Sequence, residues 1–153
     1  MNELTHIDNQ GRPRMVDVTD KGLSQRVARA QGQIRLKKET VALIDANRIQ
    51  KGNVLTIAEL AGVQAAKHTA TLIPLCHPLL LSKVQVEAVL TGSGVTVTSQ
   101  VKCTGQTGVE MEALTAVSVA LLTVYDMCKA VDLQMEIGDI HLLEKTKTPT
   151  AFA

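Results

Sequence analysis

Aromatic side chains are almost missing from this chain: Tyr125 and Phe152 are the only two, and there is no tryptophan. Base-stacking platforms on single-stranded nucleic acid need several such rings, so that class of function is disfavoured. The core must instead be built from Val, Leu, Ile, Ala and Met. Cysteine is also scarce. Cys76, Cys103 and Cys128 form an odd set without paired spacing, which reads as reduced thiols of a cytoplasmic protein and not as a disulfide framework. Neither charge sign is in excess. A net charge of +1 gives no general pull toward nucleic acid or acidic membranes, so any anion must be held by locally clustered Lys and Arg. The first residues carry early acids and no apolar core of a signal peptide. The longest uncharged stretch, residues 68–82, is broken by Pro74 and Pro78 and is too short to span a bilayer.

What is present suits one globular domain. The 153 residues are 45% hydrophobic and 20% charged, enough to bury a core without disulfides. A single domain over 1–153 is expected, with 1–20 and 146–153 irregular or flexible. Residues 26–36 alternate imperfectly and predict a strand, with Gly32 marking a bulge. Residues 38–48 predict a helix with Val41 and Ile44 facing inward, ended at Lys51-Gly52-Asn53, where Asn53 caps a second helix reaching about residue 70. Val84, Val86 and Ala88 alternate with Lys83, Gln85 and Glu87. After T-G-S-G, Val95, Val97 and Val101 do the same with polar neighbours, which predicts a β-hairpin. A helix over 109–130 and a strand over 133–143 complete the order. Strand, helices, two strands, helix, strand is the α+β ferredoxin-like split β-α-β sandwich: an antiparallel sheet with its helices on one face.

Four segments could carry chemistry. Residues 113–125 hold no formal charge, and then Asp126 and Lys129 follow three apart, on one face of the helix. A surface ion pair that ends the helix is the commoner situation. A buried pair with adjustable proton affinity is the functional alternative. In L-I-P-L-C-H-P-L, Pro74 and Pro78 hold Cys76 and His77 in a stiff loop suited to a positioned acid or base, or simply to a hydrogen-bonded histidine. Lys51 and Lys67 stand at helix ends, where an ammonium assists phosphate binding, although for each a solvated surface lysine is the better guess. G-Q-T-G-V-E-M-E-A-L frames a helix start with Glu110 and Glu112, which complement the helix dipole or recognise donors of a heterocycle. No G-K-[ST] follows, so ordinary P-loop chemistry is disfavoured. The adjacent Cys76 and His77 are not at a chelating spacing, and His6, His68 and His141 offer no second half of a zinc motif, so no metal is expected.

Read together, M-V-D-V at Met15, K-G-N-V at Lys51, A-G-V-Q-A-A-K at Ala61, L-I-P-L-C-H-P-L at Leu72, T-G-V-E-M-E-A-L-T-A at Thr107 and Y-D-M-C-K-A at Tyr125 closely resemble the cyclic pyranopterin monophosphate synthase family (molybdenum cofactor biosynthesis protein C). The similarity runs in order over residues 4–145. It implies a ferredoxin-like subunit and a small nucleotide-derived substrate, 3′,8-cyclo-7,8-dihydroguanosine 5′-triphosphate, rearranged to cyclic pyranopterin monophosphate with release of diphosphate. It also implies a homo-hexamer, a trimer of dimers with active sites between subunits. Neither nucleic acid nor membrane is an expected partner. By the resemblance Asp126 and Lys129 match the catalytic pair. Leu75, Cys76, His77, Met111 and Glu112 match the substrate-binding positions, and Lys51 and Lys67 match basic residues of the same pocket. No resident cofactor is implied; Mg²⁺ with the phosphates is compatible with the sequence and not required by it. The family's basic Gly-rich tail is replaced here by E-K-T-K-T-P-T-A-F-A, which keeps Lys145 and Lys147 but no glycine.

On these residues Lys129, with a depressed pKa, is expected to be the principal general acid/base, with Asp126 as its partner. Lys51, Lys67 and His77 are expected at the phosphates and Glu112 at the base-derived ring. A ligand-binding module of the same fold, without catalysis, is the competing reading.

Overall fold

In the computed structural model, which describes residues 6–150, the alternation seen in the sequence becomes a four-stranded sheet. Strand β1 (Ser24–Arg35) turns Ala28, Ala30 and Ile34 toward the helices, each no more than 1% exposed. Its Gln25, Gln33 and Arg35 face the other way. Helix α1 (Lys38–Asp45) ends before Asn47, which adopts φ 51°, a left-handed conformation that Asn tolerates. Asn53 then caps α2 (Val54–Lys67) as expected, its side chain accepting from the Thr56 N–H at 3.0 Å. A short α3 (Thr69–Leu72) follows, and the hairpin is β2 (Leu81–Thr91) with β3 (Gly94–Gly105). Helix α4 (Glu110–Cys128) and strand β4 (Glu136–Pro149) close the chain.

The strand order is β2-β3-β1-β4 with every neighbouring pair antiparallel. This is the expected ferredoxin-like arrangement. The long uncharged stretch of α4 forms the middle of the core: Ala113, Ala116, Val117, Ala120, Leu121 and Val124 are fully buried against Val95, Val97 and Val101 of the sheet. Each buried Val or Leu contributes roughly 1.5–3 kcal/mol, and these aliphatic side chains take the place of the missing aromatics. By length and composition alone α4 would qualify as a membrane span, yet 56% of that window is buried inside the fold. Ser99 fastens the layers by donating to the Ala113 carbonyl at 2.8 Å.

Gly32 does mark an irregularity: the β1–β4 register shifts between Gln31 and Gln33. A Cβ at Gly32 would stand 2.8 Å from Ile140 and 2.9 Å from both Leu121 and Val117, so its absence lets α4 and β4 close on the strand. One boundary departs from expectation. Residues 146–149 are strand, not irregular tail, because β1 offers partners from Ser24 to Arg29 that pair with Pro149 through Glu144. The other expected irregular stretch, 1–20, is without helix or strand from residue 6 onward, apart from a bridge between Ile7 and Pro13. Residues 1–5 and 151–153 lie outside the described part.

Candidate active site

Helix α2 runs antiparallel to α4, and this places the start of α2 beside the end of α4. Lys51, in the loop entering α2, donates from Nζ to Asp126 Oδ2 at 2.8 Å and to the Asp126 carbonyl at 2.9 Å. Lys129, at the C-cap of α4, reaches Asp126 Oδ1 at 2.7 Å. Each carboxylate oxygen therefore holds one ammonium, and Lys129 also sits where a helix C-terminus favours positive charge. The hydrogen bond from Lys129, then that from Lys51, hold the Asp126 carboxyl down at about 2. Bonding to Asp126 raises Lys129 above the usual lysine value.

Two expectations are corrected here. Lys129 is not a depressed-pKa lysine, because the nearest charge is a carboxylate and desolvation is slight. Nor is the pair buried: all three side chains are about half exposed, because Asp126 and Lys129 lie on the solvent face of a last turn whose Met127 and Cys128 stay in the core.

At the opposite end of α4 lies a cavity of about 300 Å³. The loop Leu75-Cys76-His77 forms one wall, and Met111 and Glu112 of the first α4 turn form another. The positions expected to bind substrate are thus brought together. His77 Nε2 lies 2.7 Å from the Val16 carbonyl; a carbonyl only accepts, so Nε2 carries the proton. His77 is therefore both a hydrogen-bonded histidine and a wall of the cavity. Glu112 is only 4% exposed, and burial pushes its carboxyl upward, with Glu110 adding to the shift. Burial, and then the charge of Glu112, raise the Cys76 thiol, which does not make it a thiolate nucleophile. Among the described residues no group of three His, Cys, Asp or Glu side chains is placed to hold a metal.

A second cavity of about 250 Å³ shares Gly108 and Glu110 with the first and adds Arg26, Lys145 and Lys147. Lys145 lies 3.2 Å from Glu110 Oε1. Arg26 donates to the Gln106 carbonyl at 3.2 Å, and its Nε is buried without a partner. The tail lysines are thus fixed on a strand beside the pocket even without the family's glycines.

The expected convergence of Lys51, Lys67 and His77 does not occur within one chain. The antiparallel helix pair sends Lys51 to Asp126 and leaves His77 at the other end. Lys67 closes α2 at the cavity's end of the pair but is not among the cavity's walls. Sequence reasoning passed over Lys21 and Val18, which line the cavity from the segment before β1, and Arg26. For Arg26 a signal existed: a cation at an inward position of an alternating strand. The segment before β1 was marked only by the M-V-D-V stretch of the resemblance, and no local pattern shows its contact with His77, which spans 61 residues.

The model of the family described as "MoaC family" matches residues 15–148. A protein of Dinoroseobacter shibae (strain DSM 16493 / NCIMB 14021 / DFL 12) named cyclic pyranopterin monophosphate synthase is 56% identical over 147 residues, 95% of this chain and 93% of its own length. A protein of the same name from Desulfitobacterium hafniense (strain DSM 10664 / DCB-2) is 53% identical over 146 residues, 94% of this chain and 89% of its own.

Proposed function

The chain belongs to the MoaC family, and from that premise we propose that the groups at the two ends of α4 form one catalytic site between two copies of the chain. The protein is an enzyme of molybdenum cofactor biosynthesis, a lyase. Its reaction converts 3′,8-cyclo-7,8-dihydroguanosine 5′-triphosphate to cyclic pyranopterin monophosphate and diphosphate. The observation that carries the site assignment is Asp126 with one lysine on each carboxylate oxygen.

The rearrangement moves protons at ring nitrogens and carbons without net redox change. Lys129 is charged at neutral pH and enters as the acid: Nζ delivers a proton, and the amine so formed takes one back. Asp126 holds that nitrogen in place and stabilises its charged form, and Lys51 keeps the carboxylate ionised. Glu112, buried in the cavity wall, suits the base-derived ring, whose N–H donors its carboxylate oxygens can accept. Closing the cyclic phosphate expels diphosphate, so cations must meet the developing charge. Arg26 with its unpartnered Nε, Lys145, Lys147 and Lys21 supply them beside the pocket, joined by His77 and Lys67. No resident cofactor or metal is assigned.

Two observations support assembly into a homo-oligomer, for which a trimer of dimers is the proposed form. The two groups lie at opposite ends of a 19-residue helix, roughly 28 Å long. The exposed side of α4 carries Leu122 at 57% and Tyr125 at 36% exposure, with Leu142 and Leu143 of β4 also exposed. The three unpaired thiols suit a cytoplasmic location.

The test is incubation with the cyclic dihydroguanosine triphosphate. Diphosphate release, with pterin fluorescence after oxidation, is expected from the unaltered protein. Lys129→Ala should lower turnover by on the order of 10²–10⁴ with fold and assembly intact. Retained turnover in that variant rejects Lys129 as the acid. Binding without conversion by the unaltered protein would favour a sensing module.

A further inference from the structure

The chain segments that supply Lys51, Asp126 and Lys129 meet again at a carboxylate outside the trio. Asp132, in the turn between α4 and β4, is only 1% exposed. Its Oδ2 accepts from the Lys37 N–H at 2.9 Å and from the Thr40 hydroxyl at 3.1 Å, and its Oδ1 accepts from the Gln134 N–H at 3.0 Å. Lys37 immediately precedes α1 and gives that helix no side-chain cap of its own. Asp132, 95 residues away, instead holds the Lys37 N–H and the Thr40 hydroxyl of the first helical turn. On its own side, the N–H groups of Asp132 and Val131 both donate to the Cys128 carbonyl, at 3.0 and 2.9 Å. Lys129 lies inside the turn so closed. From α1 the chain passes through the buried Ile49 directly to Lys51.

The result is a closed circuit. Asp132 fixes the start of α1, α1 leads to Lys51, Lys51 and Lys129 grip Asp126, and the turn after Lys129 returns to Asp132. Half-exposed ion pairs are too weak and too mobile to set a geometry by themselves. A buried carboxylate with three hydrogen bonds is rigid, because losing any of them leaves a polar group unsatisfied in the interior.

We infer that Asp132 is a positioning residue, which holds the two chain segments so that Lys51 and Lys129 meet Asp126. The consequence for turnover rests on the reading of Asp126 and Lys129 as the reacting pair. The geometric claim does not.

The experiment therefore has two readouts on the full-length protein. Brief acylation with dilute acetic anhydride, followed by peptide mass analysis, reports how well each lysine is protected by its ion pair. In Asp132→Asn, an amide N–H₂ faces groups that were donating to the carboxylate. Lys51 and Lys129 should then acylate several-fold faster, with Lys67 and Lys83 unchanged. Steady-state kinetics should show kcat reduced on the order of 10- to 100-fold, with KM within about twofold, as expected for a misplacement of about 1 Å. Thr40→Val, which removes one bond and keeps the shape, should move both readouts the same way by less. It decides the matter if Asp132→Asn does not fold. Unchanged acylation of Lys51 and Lys129 in a folded variant overturns the inference. Faster acylation with unchanged kcat upholds the positioning and rejects Asp126 and Lys129 as the reacting pair.

Discussion

Glu112 and Asp126 lie on the same helix, α4, at its opposite ends, roughly 21 Å apart along the axis. One faces the cavity formed by the His77 loop, and the other faces two lysines in solvent. A cavity of about 300 Å³ is at the lower limit for a ligand site, so the part of the substrate that reacts must extend beyond it. If one copy contributes the Glu112 end and another the Asp126 end, variants at the two ends complement each other. Glu112→Gln and Asp126→Asn should each be nearly inactive alone. Denatured together and refolded as a mixture, they should recover about a quarter of the unaltered activity, because random pairing leaves both halves intact in that share of sites. No recovery, with mixed oligomers verified by mass spectrometry, would place both halves of the site in one chain.

Much of this arrangement could be read in the residues. The hairpin was legible because Val alternates with Thr, Gln and Lys on both arms, and a pleated strand repeats every second residue. Asn53 was legible because a cap is a local device that needs only the next turn of helix. The Asp126–Lys129 contact follows from helical spacing alone. What could not be read is set by pairing between distant segments. That Lys51 belongs with Asp126 and not with His77 depends on α2 packing antiparallel to α4, and no local pattern encodes that direction. The sign of the Lys129 shift is set by its bond to Asp126 on the exposed face of the last α4 turn, and the uncharged stretch before it does not show which face is covered. The final strand extends to Pro149 because β1 continues beside it, although Lys145, Thr146 and Lys147 carry little strand pattern of their own.

Glu112 makes folding stability depend on pH in a direction that can be stated beforehand. Its carboxyl titrates higher in the folded protein than the ordinary value of 4.5, chiefly because burial penalises the anion. The folded state therefore holds this proton more tightly than the unfolded state does. Its contribution is fully present below the unfolded value and is lost as pH rises through the folded one. At neutral pH the carboxylate is a buried liability, and Glu112→Gln removes it. Urea unfolding should show the Gln variant at least as stable as the unaltered protein at pH 7, with the difference shrinking toward pH 4. The same variant should lose substrate binding. A Gln variant less stable at pH 7 than at pH 4, relative to the unaltered protein, would contradict the burial argument.

Gly62 tests whether the helix pair that separates the two half-sites is held rigidly. A Cβ there would lie 2.9 Å from the Ala116 carbonyl oxygen of α4 and 2.9 and 3.1 Å from the two methyl groups of Val86. The valine can rotate, but the carbonyl is backbone and can retreat only if α4 moves. Two effects oppose each other in Gly62→Ala. Alanine gains up to about 1 kcal/mol over glycine within a helix. Overpacking against a fixed neighbour costs about 1–3 kcal/mol. Because the contact is with backbone, the second effect should win, giving a net loss of roughly 1–2 kcal/mol in urea unfolding. The same displacement pushes the start of α2 from the end of α4, so Lys51 should loosen from Asp126 and kcat should fall more than the stability loss alone explains. An alanine variant as stable and as active as the unaltered protein would mean that α2 can slide on α4 without disturbing the Lys51–Asp126–Lys129 geometry.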